Sequence, residues 1–347
     1  MIRRSVSSLV AAGLAGLAWA APVGEAPPSP PASVSGSIDA LRQEMQRVFE
    51  RARSAVVRIE GVDGHGPLAG SGFFVDPHGT LVTAYTIGGE AEGLTVEFGD
   101  RKHPARRLVA DPRSGLALLK IEAQTPFLMS APGPGLPELT SGVLLVGYPV
   151  DLDATPSFGI VAGHDRRYLG RYLSTTHLRA NLPVQRGQGG SPLLNLKGEV
   201  IGVVISSVDN GTACFALPVA AVDKVRENYV RFGEVRHGWL GLTVEEKAGS
   251  VAIAEIREES PAKGGGLRPG DRLERVGVRE IRTPEDALDA SFFLTSGDPV
   301  TVRVEREGES LDLALVPADP PGKPPLHAGE PAPFRGDALF MNSAVPR

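Results

Sequence analysis

Between Ala55 and Leu217 the apolar residues come in short runs, each cut off by glycine, proline or a polar turn. Runs of a few residues are too short for helices and suit strands. The candidates are 56–59, 72–75, 81–84, 94–98, 116–121, 143–148, 192–194, 200–206 and 214–217. Asp76-Pro77-His78-Gly79 and Leu196-Lys197-Gly198 mark tight turns between them. Strands this short and this closely spaced predict a barrel or a sandwich. A content of 42 glycines and 30 prolines with only 5% aromatics fits many turns and few long elements.

The flanks read differently. Ile38, Leu41, Met45, Val48, Phe49 and Ala52 recur at helical spacing, so a helix is expected from Ser37. Pro218 opens another, to about Phe232. A second unit covers 237–317, with strands at 240–244, 251–256, 272–276, 300–305 and 311–315. Between them Thr283 is placed as an N-cap, with Pro284 at the first helical position. Residues 21–36 form a proline-rich linker, and 318–347 a proline-rich tail expected to be disordered. At the start, Arg3 and Arg4 precede an apolar run from Leu9 to Trp19, and Ala18-Trp19-Ala20 is a small-x-small cleavage signal. Residues 1–20 therefore predict a secretory signal peptide and a periplasmic or extracellular protein. The run is shorter than the roughly 20 residues of a spanning helix, so no transmembrane anchor is expected. The adjacent arginines leave the twin-arginine and general export routes both open.

A net charge of −5 with no basic cluster argues against nucleic acid as a partner. The lone Cys214 allows no internal disulfide and reads as a buried small hydrophobe. No cofactor or metal is expected.

Taken in order, several segments resemble the HtrA family of exported, trypsin-like serine proteases with a PDZ domain. They are GSGFFVDPHGTLVTA at 70–84, ADPRSGLALLKIE at 110–122, SFGIVAG at 157–163 and GQGGSPLLNLKGEVIGVV at 187–204. ACFALPVAAVDKV at 213–225, HGWLGL at 237–242 and SPAKGGGLRPGDRLERVG at 260–277 complete the set. The resemblance implies a mainly β chain. A trypsin-like pair of six-stranded barrels with an N-terminal helix would cover 37–232, and an α+β PDZ domain 237–317. It also implies self-association, as relatives form trimers through their N-terminal segments.

Serine-protease chemistry needs a hydroxyl that attacks, an imidazole that takes its proton and a carboxylate that orients the ring. The family histidine position, reached through Thr83-Ala84-Tyr85, is Thr86. The aspartate position after Asp111-Pro112-Arg113-Ser114 is Gly115, and the nucleophile position of GQGGSP is Gly189. Thr86 is no base near neutral pH, and the two glycines have no side chain. Loss of such a triad costs on the order of 10^6 in turnover. The resemblance leaves the backbone amides of Gly187 and Gly189 as a residual oxyanion hole. It also assigns Trp239, Leu240, Gly241 and Leu242 to the loop that holds a peptide's C-terminal carboxylate, with the peptide added as a strand beside 242–245.

The leading expectation is a catalytically dead member, a pseudoprotease. It would bind unfolded polypeptide or protein C-termini as a scaffold, chaperone or regulator, alone or with an active relative. A second reading is a hydrolase with a non-standard site around Ser191. A third is a structural envelope protein with no live binding site. The histidines, His65, His78, His103, His164, His177, His237 and His327, are expected in solvated loops or strand ends, and Asp111 in a turn.

Overall fold

The apolar runs become β-strands, several of them, such as 116–119 and 143–147, buried on both faces. In the computed structural model, which describes residues 32–133, 135–150 and 152–322, the chain forms three antiparallel sheets and five α-helices among the described residues. The expected signal peptide lies outside those residues, as do most of the linker and most of the tail. Helix α1 spans Ala32–Ala52. It starts ahead of the expected Ser37, directly after Pro31, where the proline-rich stretch ends.

The first sheet contains β1 (Val56–Asp63), β2 (Gly66–Phe74), β3 (Thr80–Ala84), β4 (Glu92–Phe98), β5 (Arg101–Pro104), β6 (Arg106–Asp111) and β7 (Leu116–Lys120). Its order is β5-β4-β1-β2-β3-β7-β6, seven strands rather than the six that the resemblance implied. The extra strand comes from a turn at Gly99, where φ is 61°, which folds β5 back onto β4. The one-turn helix α2 (Tyr85–Gly88) follows β3.

The second sheet closes into a six-stranded barrel. Its strands are β8 (Gly142–Gly147), β9 (Thr155–Tyr168), β10 (Arg171–Asn181), β11 (Pro192–Asn195), β12 (Val200–Val208) and β13 (Ala213–Pro218), in the order β10-β13-β12-β11-β8-β9. Alternation along β8 shows why its apolar run is unbroken. Val143 and Leu145 point into the barrel, while Leu144 and Val146 join the core shared with the first sheet. Leu116 and Leu118 of β7 enter that shared core, and Leu119 turns to the first sheet's own interior. A strand walled on both sides needs no polar face. Val48 and Ala52 of α1 seal the same shared core, as do Val222 and Val225 of α3 (Val219–Phe232).

The third sheet belongs to the second unit. It holds β14 (Leu242–Lys247), β15 (Ser250–Ile256), β16 (Arg272–Val276), β17 (Arg279–Glu280), β18 (Val300–Arg306) and β19 (Glu309–Leu315), with helices α4 (Pro261–Gly264) and α5 (Pro284–Phe292). Thr283 caps α5 in a full capping box with Asp286, and Pro284 stands at the first position, as the sequence predicts. Trp239 and Ala318 exchange backbone hydrogen bonds at 2.8 and 3.0 Å and close the unit's two ends.

The long hairpin β9–β10 is absent from the predicted strands. Its outer half reads HDRRYLGRY, which carries no apolar alternation. Arg166 and Arg167 there are matched by acids of α5, described below.

Candidate functional site

Three loops converge between the first sheet and the barrel. Tyr85 N–H, the first of α2, donates to the Gly115 carbonyl at 2.7 Å, which sets Thr86 beside Gly115. Ser71 N–H on β2 donates to the Gly189 carbonyl at 2.9 Å. Gly190 tucks so closely against β3 that a Cβ there would lie 2.4 Å from Thr83 Oγ1. The three positions named from the sequence therefore lie close together where the first sheet meets the barrel.

The side chains nearest to Gly115 and Gly189 are apolar. Thr86 is exposed. A Cβ on Gly189 would find only Ile87 Cγ1, at 4.0 Å, and one on Gly115 would face Ile205 at 3.8 Å. Gly115 has φ of 75°, in the left-handed region that side chains disfavour. The nucleophile-type loop is nonetheless firmly built. Ser71 Oγ donates to the Gly187 carbonyl at 2.8 Å and accepts from Tyr148 N–H at 2.9 Å. The buried Gln188 side chain accepts from Gln185 N–H at 2.8 Å. Gly187 also has positive φ, 91°, and a Cβ there would sit 2.6 Å from the Tyr148 carbonyl oxygen.

Ser191 is fully buried, and its Oγ has no hydrogen-bond partner. It occupies the space a side chain on Gly147 would take, since a Cβ there would lie 2.0 Å from Ser191 Oγ. No substrate reaches that oxygen without the barrel opening. Of the histidines, His65, His78 and His164 are exposed as expected, and His327 lies outside the described residues. His177 departs from expectation. It is buried in β10 with Nδ1 2.7 Å from the Thr175 carbonyl, and burial pushes its pKa down.

His237 departs furthest from the sequence reading, through its bond to Asp111. Asp111, at the end of β6, opens the turn that runs to Gly115, as expected, but is buried there, and its Oδ1 accepts from His237 Nε2 at 2.9 Å. Lys224 Nζ of α3 lies 3.3 Å from the other ring nitrogen. Burial alone would raise the Asp111 pKa, but hydrogen bonds from His237 and Ser114 and the positive charge of Lys224 hold it below the ordinary carboxylate range. This dyad faces the second unit; Ser114 Oγ donates to the Asp111 backbone carbonyl at 3.2 Å, while the His237 ring bonds to Asp111 and Lys224. With the two 126 positions apart, no local spacing could have revealed it.

The second unit is clamped to the barrel by α5. Asp289 Oδ1 accepts from Thr175 Oγ1 at 2.6 Å and Thr176 N–H at 2.7 Å, while its Oδ2 takes Arg279 at 2.7 Å. Arg166 pairs with Asp286 and Arg167 with Glu285. Arg113 reaches Ser291 Oγ at 3.0 Å.

On the far side of α5 lies β14, an edge strand whose inner neighbour is β15. The loop leading into it contains the four residues named for carboxylate binding. Gly241 has φ of 79°, and the Trp239 ring lies over it, 2.8 Å from where a Cβ would be. The carbonyls of Trp239, Leu240 and Gly241 accept from the amides of Ala318, Ala262 and Arg257. They are thereby turned away from any ligand.

Comparison with known proteins agrees with the fold. The trypsin-like peptidase domain family covers residues 70–203, and the PDZ domain family covers 238–316. A protein named "Probable periplasmic serine endoprotease DegP-like" from Rhizobium meliloti (strain 1021) is 28% identical over 291 residues, covering 78% of this chain and 56% of that protein. One of the same name from Ectopseudomonas mendocina (strain ymp) is 29% identical over 307 residues, covering 80% and 62%. The chain thus spans just over half the length of these curated relatives. Among solved structures, the HtrA-type protease AlgW with a tripeptide superposes with a TM-score of 0.68 at 23% identity, over 82% of this chain and 99% of that one. The serine endoprotease from Yersinia pestis gives 0.60 at 24% identity, over 79% and 97%.

Proposed function

With a trypsin-like peptidase domain followed by a PDZ domain, the chain is a homologue of the HtrA/DegP-like periplasmic serine endoproteases, and we propose that it holds polypeptide without cutting it. The observation that carries this reading is the surroundings of Thr86, Gly115 and Gly189, the positions that the resemblance assigns to the triad: they lie together, and Ile87 and Ile205 are the nearest side chains to the two glycines. A proton acceptor and an attacking oxygen are both missing where the family keeps them. The buried, unpartnered hydroxyl of Ser191 argues against the alternative hydrolase site.

Two surfaces remain for binding. The edge of β14 beside α5 is open to a peptide added as a strand, with the loop from Trp239 to Leu242 receiving its C-terminal carboxylate. The surroundings of Gly115 and Gly189 offer apolar contact to an unfolded segment. Such a protein serves as a scaffold, chaperone or regulator of an active relative, exported to the periplasm or cell exterior. Helix α1 is the element proposed for self-association.

A C-terminal peptide library titrated against the purified full chain tests the reading, with casein turnover followed in parallel. Saturable, carboxylate-dependent binding with casein left intact is expected. Binding that survives amidation of the peptide C-terminus refutes the loop's role. Loss of all selective binding favours a purely structural protein.

A further inference from the structure

Directly behind the vacated acid position, one turn ties the two domains together. Asp111 opens that turn, and Gly115 N–H donates to the Asp111 carbonyl at 3.0 Å. His237 is the residue from which the PDZ domain departs, and its ring lies 6.0 Å from that of Phe292, fully buried at the end of α5. We infer that Lys224, His237 and Asp111 form a pH-gated latch, which holds the PDZ domain against the peptidase domain while the imidazole is neutral and releases it on protonation.

The geometry admits one protonation state. A neutral imidazole has one donor and one acceptor. Here Nε2–H donates to Asp111 Oδ1 at 2.9 Å, and Nδ1 accepts from the Lys224 ammonium at 3.3 Å. A second proton on Nδ1 would point at that ammonium, with no acceptor between two cations. Arg113, on the same turn as Asp111, adds a third cation close by. The face from α5 is the uncharged Phe292 ring, which both Lys224 and Arg113 overlie. The acids of α5 are spent elsewhere: Glu285 on Arg167, Asp286 on Arg166, and Asp289 on Arg279 and β10. Arg236, next in sequence, pairs with Glu234. Asp111 is therefore the one anion bonded to the ring, and it is already bonded in the neutral state.

The pH window follows. Burial, opposed by Asp111 and reinforced by Lys224 and Arg113, holds the His237 pKa below its ordinary value of about 6.5. Lys224 is pushed down to about 8, chiefly by burial and then by Arg113, so it remains an ammonium below that pH. A ring kept neutral in the fold but protonated when released contributes its full stabilisation above its free pKa. That contribution is lost as pH falls from there towards the folded pKa.

Amide hydrogen exchange on the full chain at pH 7.5 and pH 5.0, corrected for intrinsic rates, tests the latch. Protection of 236–242 and 286–293 is expected to fall at least about tenfold at pH 5.0. His237→Gln supplies the same donor and acceptor without titrating, and is expected to stay protected at both. An unchanged wild type overturns the proposal. So does a His237→Gln variant that still opens, which would pass the role to the buried His177 beside Asp289. Should that variant misfold, ¹⁵N imidazole shifts of the unsubstituted chain decide. A neutral Nε2–H ring at pH 7.5 that protonates as protection is lost supports the latch. A ring charged at pH 7.5, or still neutral at pH 5.0, refutes it.

Discussion

Gly115 limits what can be regained at the triad positions. Its φ of 75° is a conformation that costs an ordinary side chain about 1–2 kcal/mol, and its Cβ direction leads to Ile205. Gly189 is easier, because a serine Cβ there meets nothing nearer than 4.0 Å. Grafting the three groups as Thr86→His, Gly115→Asp and Gly189→Ser is therefore expected to lower stability by about 1–2 kcal/mol, with nearly all of the loss traceable to Gly115→Asp. The grafted carboxylate is aimed at an apolar side chain, so casein hydrolysis is expected to stay at background; clear turnover would show the site to be closer to a working protease than its backbone indicates. Ser191→Ala is the complementary case. It removes a buried hydroxyl that has no partner, so melting should be unchanged or shifted upward by up to about 1 kcal/mol of stability. A marked loss of stability would mean that the hydroxyl is satisfied after all.

At the scale of elements, α5 is the joint of the molecule. Thr283→Ala removes its capping box and should cost about 1 kcal/mol in urea unfolding. Asp289→Ala should cost more, about 3 kcal/mol, because it strands a buried hydroxyl, a backbone amide and the Arg279 cation together. Equal effects from the two substitutions would argue against α5 as an interdomain clamp. The same contrast explains what could be read in advance. Strands such as β8 and β12 were legible because their apolar runs encode burial on both faces. The cap of α5 was legible because its signals are adjacent in sequence. The hairpin β9–β10 was not, since Arg166 and Arg167 are matched by acids more than a hundred residues away. The motifs that single out Thr86, Gly115 and Gly189 are local in sequence, whereas His237 and Asp111 meet only because the PDZ domain folds back onto β6.

At the scale of the whole molecule, a trypsin-like peptidase domain is followed by a PDZ domain, and the proposed reading is that this frame binds without cutting. The frame's loops remain tightly hydrogen-bonded, its core is continuous from α1 through both sheets to Phe292, and the edge of β14 is left for a partner strand. On the proposed reading, such an architecture supplies binding energy without bond-breaking. Exposing the full chain to a fluorophosphonate probe and locating any adduct by mass spectrometry tests this most directly. The account predicts no stoichiometric adduct at any serine, Ser191 included; a single serine labelled to completion would contradict it.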